Sequence, residues 1–186
     1  MGKRCAWVNS DQLYLAYHDQ EWGVPLYDNR GLFEMLILEG FQAGLSWFTI
    51  LKKRDNFRAA FADFQPEKIA GFDQKIINGL MQNKGIVRNR LKIEATISNA
   101  RSYLKIQENE TFSNFIWQFV GGLPKINSWP SIRDLPVTSK ESDRMSKELK
   151  KRGFRFVGST ICYAFMQAVG MVNDHTTDCF RYDQLV

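Results

Sequence analysis

Residues 150–160 read KKRGFRFVGST, and this stretch decides how the rest of the chain is read. Lys150, Lys151 and Arg152 end a basic helical segment, and Gly153 and Gly158 frame a turn. Ser159 and Thr160 then open an apolar helix. Exposed backbone amides at a helix start, with the helix dipole behind them, bind phosphate without reading bases. Such a hairpin is the physical basis of a helix-hairpin-helix DNA clamp. The same pattern suits an ordinary helix–glycine–helix joint, and the stretch alone leaves both readings open.

The surroundings are helical in pattern almost throughout. On the near side, a basic helix is expected from about Ser139 to Lys151; on the far side, a helix runs from about Gly158 to Val169. The span Leu123 to Val137 contains three of the five prolines and reads as a connecting loop. Upstream, Asp28 caps a helix bearing Leu32, Phe33, Met35 and Leu36. Ser46 caps another, taken to carry Ile50, Leu51 and Phe57. Pro66 suits the first turn of a short helix, and Asp73 precedes Ile76, Ile77, Leu80 and Met81 at helical spacing. From about Val87 to Gln107, Leu91, Ile97, Ala100 and Leu104 describe one apolar face, and Phe112 to Val120 form a further helix ended by Gly121-Gly122. No sustained period-2 strand appears. The expected fold class is all-α.

Charge supports a polyanionic partner. The net charge is +5, yet residues 1–42 carry three basic against six acidic groups, a net of −3, which leaves +8 for the remainder. Within 140–155, seven basic and three acidic side chains give +4, which fits either a phosphate-contacting patch or a solvated helix face. The polar start MGKRCAWVNSD does not resemble a signal peptide. The uncharged run Phe156 to Asn173 is interrupted by Gly158, Gln167 and Gly170 and reads as a buried helix rather than a membrane span. Three cysteines cannot complete a disulfide framework, so a reducing cytoplasm is the expected setting.

Four of the five His and Cys residues form two compact pairs: Cys5 with His18, and His175 with Cys179. The second pair, at i and i+4, would share one face of a helical turn. Two Cys and two His complete a tetrahedral zinc shell with no open position, which marks a structural rather than a catalytic site. With 156 residues between His18 and His175, one ion would clip the two chain ends together. The alternative is four ordinary buried or polar residues. Cys162, amid Ile161, Tyr163 and Phe165, reads as a core thiol. The N-terminal region also interleaves Trp7, Tyr14, Tyr17, Trp22 and Trp47 around one carboxylate, Glu39, near a short turn containing Gly40, Gln42, Gly44 and Leu45. Aromatic faces suit a planar or cationic ligand, although each ring alone suits a core equally well.

Taken as a set, these motifs become specific. The start CAWV (5–8), the block YLAYHDQEWGVP (14–25), EGFQAGLSWFTILKKR (39–54) and KKRGFRFVGSTICYAFMQAVGMVNDH (150–175) resemble the bacterial DNA-3-methyladenine glycosylase I family, from Cys5 through Cys179. The resemblance implies a helix-hairpin-helix glycosylase fold over 1–186, in two helical lobes, with the hairpin at about 140–170. It implies a monofunctional N-glycosylase that flips 3-methyladenine out of double-stranded alkylated DNA and acts as a cytoplasmic monomer. It also implies one structural Zn2+ on Cys5, His18, His175 and Cys179. Glu39 becomes the catalytic candidate, with Tyr17, Trp47, Trp7 and Tyr14 holding the base. Gly44 and Leu45 would plug the duplex, while Lys151, Arg152, Gly153 and Gly158 meet its phosphates.

Two departures are visible. The hairpin lacks the proline common in the wider superfamily. The Asp that many superfamily members use as catalytic acid has a neighbour here in Asp174, which precedes a zinc ligand and is expected to cap or support that site. A zinc-stabilised DNA-binding module without activity is the competing reading, and a zinc hydrolase would need an open ligand position.

Overall fold

The computed structural model describes residues 2–185. Among them are ten α-helices: α1 (Gln12–Gln20), α2 (Asn29–Gln42), α3 (Trp47–Leu51), α4 (Arg54–Ala60), α5 (Pro66–Ile69), α6 (Gln74–Gln82), α7 (Arg90–Gln107), α8 (Phe112–Trp117), α9 (Lys140–Lys151) and α10 (Ser159–Ala168). The expected caps are in place. Asp28 accepts from the Gly31 amide at 2.7 Å, Ser46 from Thr49 at 3.2 Å and Asp73 from Ile76 at 2.9 Å. Ser139 and Ser142 close a capping box at the head of α9. The first helix was not foreseen. Asp11 caps it through the Leu13 amide, and it buries Tyr17 and His18, with Tyr14 partly buried beside them.

Two expectations of extent need correction. The helix capped by Ser46 stops at Leu51, and Phe57 belongs to the separate α4, so both short helices can bury Ile50, Leu51 and Phe57 in one core. The long helix starts at Arg90 rather than Val87, because Asn89 caps it through the Lys92 amide. Leu91, assigned to its apolar face, is 57% exposed; Ile97 and Ala100 are buried as expected, and Ile93 joins them on that face.

Helix α10 packs against α9 and α2, and α2 also meets α7, so the helix that carries Glu39 lies at the centre of the bundle. Cys162 is fully buried in that core, as expected. Two short parallel strands, β1 (Lys125–Ile126) and β2 (Val172–Asn173), pair Lys125 with Val172 and Ile126 with Asn173. They zip the proline-containing loop to the segment entering His175. Among the described residues no helix is long and apolar enough to cross a membrane.

Candidate functional site

The four proposed ligands converge. Cys5, His18, His175 and Cys179 are all buried, and their ligand atoms lie within 4.8 Å of one another. Three S···N separations are 3.5 Å: Cys5 to His175 Nδ1, Cys179 to His18 Nε2 and Cys179 to His175 Nδ1. A tetrahedral centre with Zn–S near 2.3 Å and Zn–N near 2.0–2.1 Å spans about 3.5 Å along each S···N edge, so the donor set fits that ion. The remaining ring nitrogens set the tautomers. His18 Nδ1 lies 2.8 Å from Asp19, which Arg4 holds with bonds of 2.8 and 2.6 Å. His175 Nε2 lies 3.1 Å from the Trp22 carbonyl oxygen. Each histidine therefore donates outward and turns a lone pair inward. Burial lowers His175 to about 4, keeping it neutral, and pushes the Cys5 thiol up to about 12, where only a nearby cation would favour the thiolate.

The second pair does not sit on a helix. Residues 174–179 form a turn after β2, closed by the Cys179 amide on the Thr176 carbonyl at 2.8 Å, and this turn rather than helical spacing aligns His175 with Cys179. Asp174 departs from expectation too. It supports Gln167, Tyr163, Asn127 and Trp129, each at 2.7 Å, and neither histidine. The carboxylate behind the metal cluster is Asp19.

Beside this cluster lies a cavity of about 180 Å³. All five predicted pocket residues line it: Glu39 from α2, Tyr14 and Tyr17 from α1, Trp47 from the head of α3, and Trp7 from the N-terminal segment. The rings brace one another, with centroids 5.1 Å apart for Trp7–Tyr14 and 5.4 Å for Tyr17–Trp47. Glu39 is buried, and its Oε2 has no hydrogen-bond partner; the buried Trp47 indole N–H has none either. Burial raises the Glu39 carboxyl to about 8, so the cavity wall carries a neutral acid rather than the carboxylate anion expected from sequence. Trp22, Gln42, Ala164, Gln167, Ile132 and Leu135 complete the wall. Trp22 stood among the interleaved aromatics. Gln42 lies one turn beyond Glu39 on α2, in the segment singled out from sequence, whereas Ile132, Leu135, Ala164 and Gln167 come from distant elements that no local pattern marks.

The DNA-facing candidates lie on two turns at the surface. Gly44, with φ +82°, and Leu45, 43% exposed, follow α2 directly. Lys92 from α7 donates to the Phe41 and Ala43 carbonyl oxygens at the same helix end, a contact that sequence reading missed. In the hairpin, Gly153 has φ +92°, but the second left-handed residue is Phe156, at +56°, and not Gly158. Asn99 holds that turn by both accepting from and donating to Arg155. Gly158 is the N-cap of α10, with no side-chain cap bond and open space where a Cβ would be, so the first amides of α10 stay uncovered. Lys151 is exposed, whereas the Arg152 guanidinium lies 4.5 Å from the Phe115 ring centre and 4.0 Å from Glu110.

This geometry has close counterparts. The family model described as methyladenine glycosylase matches residues 7–182. The chain is 52% identical over 181 residues to DNA-3-methyladenine glycosylase 1 of Escherichia coli, covering 97% of each chain. It is 50% identical over 180 residues to DNA-3-methyladenine glycosylase of Haemophilus influenzae, covering 96% of this chain and 97% of that one. A crystal structure of a 3-methyladenine DNA glycosylase I, 56% identical, superposes with a TM-score of 0.94 over 96% of this chain and 98% of the other. Another, a variant in complex with 3-methyladenine, is 41% identical with a TM-score of 0.93 over 96% and 97% of the two chains.

Proposed function

The chain belongs to the methyladenine glycosylase family, and from that premise we propose that it hydrolyses the N-glycosidic bond of 3-methyladenine in alkylated double-stranded DNA, with Glu39 reading the flipped base. The observation that carries this assignment is the unpartnered Oε2 of Glu39, buried in an aromatic cavity beside the equally unpartnered Trp47 N–H. A buried polar group without a partner costs about 1–3 kcal/mol, which a ligand bearing matching groups recovers.

A 3-methylated adenine in DNA carries positive charge. When the C1′–N9 bond breaks, its electron pair cancels that charge, and water adds at C1′ and loses a proton. The leaving base needs no acid, so the protein's task is extrusion, selection and water access. Extrusion costs a few kcal/mol, and each stacked aromatic contributes about 1–3 kcal/mol in return. The cationic ring gains further from the faces of Trp7, Tyr14, Tyr17 and Trp47. As a neutral acid, Glu39 offers one donor and one acceptor, which match the ring nitrogen and amine of an adenine edge. A cationic lesion pressed against it favours the ionised form, which accepts from the amine more strongly. Guanine presents a carbonyl oxygen there, which the ionised form, an acceptor only, repels.

The hairpin of α9 and α10 grips phosphates through the open amides after Gly158, with Lys151 beside them, and Leu45 fills the gap left by the base. Cys5, His18, His175 and Cys179 would hold zinc as a closed four-ligand clasp of the two chain ends, which leaves it no position for substrate. Chromatography of bases released from methylated DNA tests the assignment. Release of 3-methyladenine by the parent protein and its collapse in Glu39→Gln are expected; release independent of Glu39 overturns the role of this residue.

A further inference from the structure

Among the polar groups of the cavity wall, Gln167 has its orientation set by the fold. It lies near the end of α10, half-buried, and lines the cavity one turn beyond Ala164. Its Nε2 donates to Asp174 Oδ2 at 2.7 Å. An amide can usually be turned end for end, but a carboxylate only accepts, so here the nitrogen must face Asp174. The carbonyl oxygen is left without a protein partner among the described residues, on a side chain that borders the cavity.

Asp174 is built to hold this arrangement. It is 1% exposed, and its four acceptor positions are filled. Asn127 and Trp129 donate to Oδ1, and Tyr163 and Gln167 donate to Oδ2, each at 2.7 Å. Those donors come from the proline-containing loop and from α10. The same two elements supply Ile132, Leu135, Ala164 and Gln167 to the cavity wall. With its four acceptor positions filled, the consequence of Asp174 at the cavity is the direction of Gln167.

We propose that Gln167 is a second base-reading residue, its Oε1 accepting from the exocyclic amine of the flipped base, with Asp174 as the positioning residue that fixes which end of the amide the base meets. This rests on the base-pocket reading of Glu39. The amine has two N–H groups; Glu39 takes one and Gln167 the other. An amide supplies the second acceptor without a second charge, which the neighbouring Asp174 and Glu39 would oppose. A base with a carbonyl oxygen at that position loses the bond to Gln167 Oε1, which can only accept.

Tryptophan fluorescence titrations with free 3-methyladenine and with 3-methylpurine, which lacks the amine, test the proposal in parent, Gln167→Met and Glu39→Gln proteins. Gln167→Met is expected to bind 3-methyladenine about five- to tenfold more weakly, the worth of one neutral hydrogen bond, and 3-methylpurine as the parent does. Asp174→Asn, which frees the amide to turn, should show the same selective loss. Equal losses for both bases, or none, overturn the inference, and Gln167→Ala applies the same criterion if the methionine variant does not fold. A loss in Glu39→Gln alone overturns the Gln167 assignment and leaves the pocket reading standing. Failure of the parent to bind 3-methyladenine overturns both.

Discussion

The Lys92 ammonium stands 2.7 Å from the carbonyl oxygen of Ala43, the residue that ends the helix bearing Glu39, and 2.9 Å from that of Phe41. The end of a helix leaves carbonyls without intrahelical partners, and a cation there also complements the dipole. Lys92 is buried, so its removal leaves the inner carbonyl, that of Phe41, without a donor. Lys92→Met should lower Tm by several degrees, since bonds from a charged donor are worth about 1.5–3 kcal/mol. It should also slow single-turnover excision by loosening the Gly44–Leu45 turn. An unchanged excision rate in a destabilised protein would confine Lys92 to stability.

Removing charge from Glu39 while keeping its shape should cost catalysis rather than folding. Glu39→Gln should slow release of 3-methyladenine by about tenfold to 150-fold, the equivalent of one charge-assisted hydrogen bond. Because the free carboxyl is held at about 8, a cationic base binds best after a proton has left. The parent's kcat/KM should therefore climb with pH and level off above about 8. A profile flat from about pH 6 to about pH 9 would exclude this ionisation from the reaction.

The same carboxyl makes stability depend on pH. When exposed it ionises near 4.5, but in the fold it stays protonated to about 8. Its contribution is fully present below the lower value, is lost as pH rises between the two, and is gone above the upper one. Glu39→Gln holds no such proton. Its Tm relative to the parent should increase through that window and then level. A Tm difference that ignores pH would mean that Glu39 is not buried as an acid.

For the metal cluster, we expect about one zinc per chain, with Cys179→Ala or His175→Ala lowering Tm strongly. Asp19→Asn is the finer test. It keeps the ligands but weakens the acceptor 2.8 Å from His18 Nδ1, and zinc affinity should fall about 10–100-fold. Metal analysis without zinc would remove the assignment.

In the hairpin, Lys151→Ala should weaken binding to any DNA sequence alike and reduce the salt slope by about 0.9, as loss of one phosphate contact does. Arg152→Ala should change the slope less, because that guanidinium is already engaged by Phe115 and Glu110. Filter binding across salt concentrations separates the two; a sequence-dependent loss would place Lys151 against bases instead.

What the sequence by itself determined was local or chemically rare. Asp28, Ser46, Asp73 and Ser139 mark helix starts because a cap bonds an amide two or three residues away. Cys5, His18, His175 and Cys179 stood out because few other residues of their kind exist in the chain, and the aromatic motifs around Glu39 were long enough to show a resemblance. The tertiary structure alone decided what those groups do. Asp174 borders His175 in sequence, yet its four bonds run to the loop and α10, so adjacency misassigned it while Asp19 supports His18. Burial turned Glu39 into a neutral acid, and long-range packing brought Gln167, Ala164, Ile132 and Leu135 to its cavity. Hydrogen-bond direction, burial and proton affinity depend on neighbours brought together from distant parts of the chain. Neither periodicity nor capping reports such neighbours.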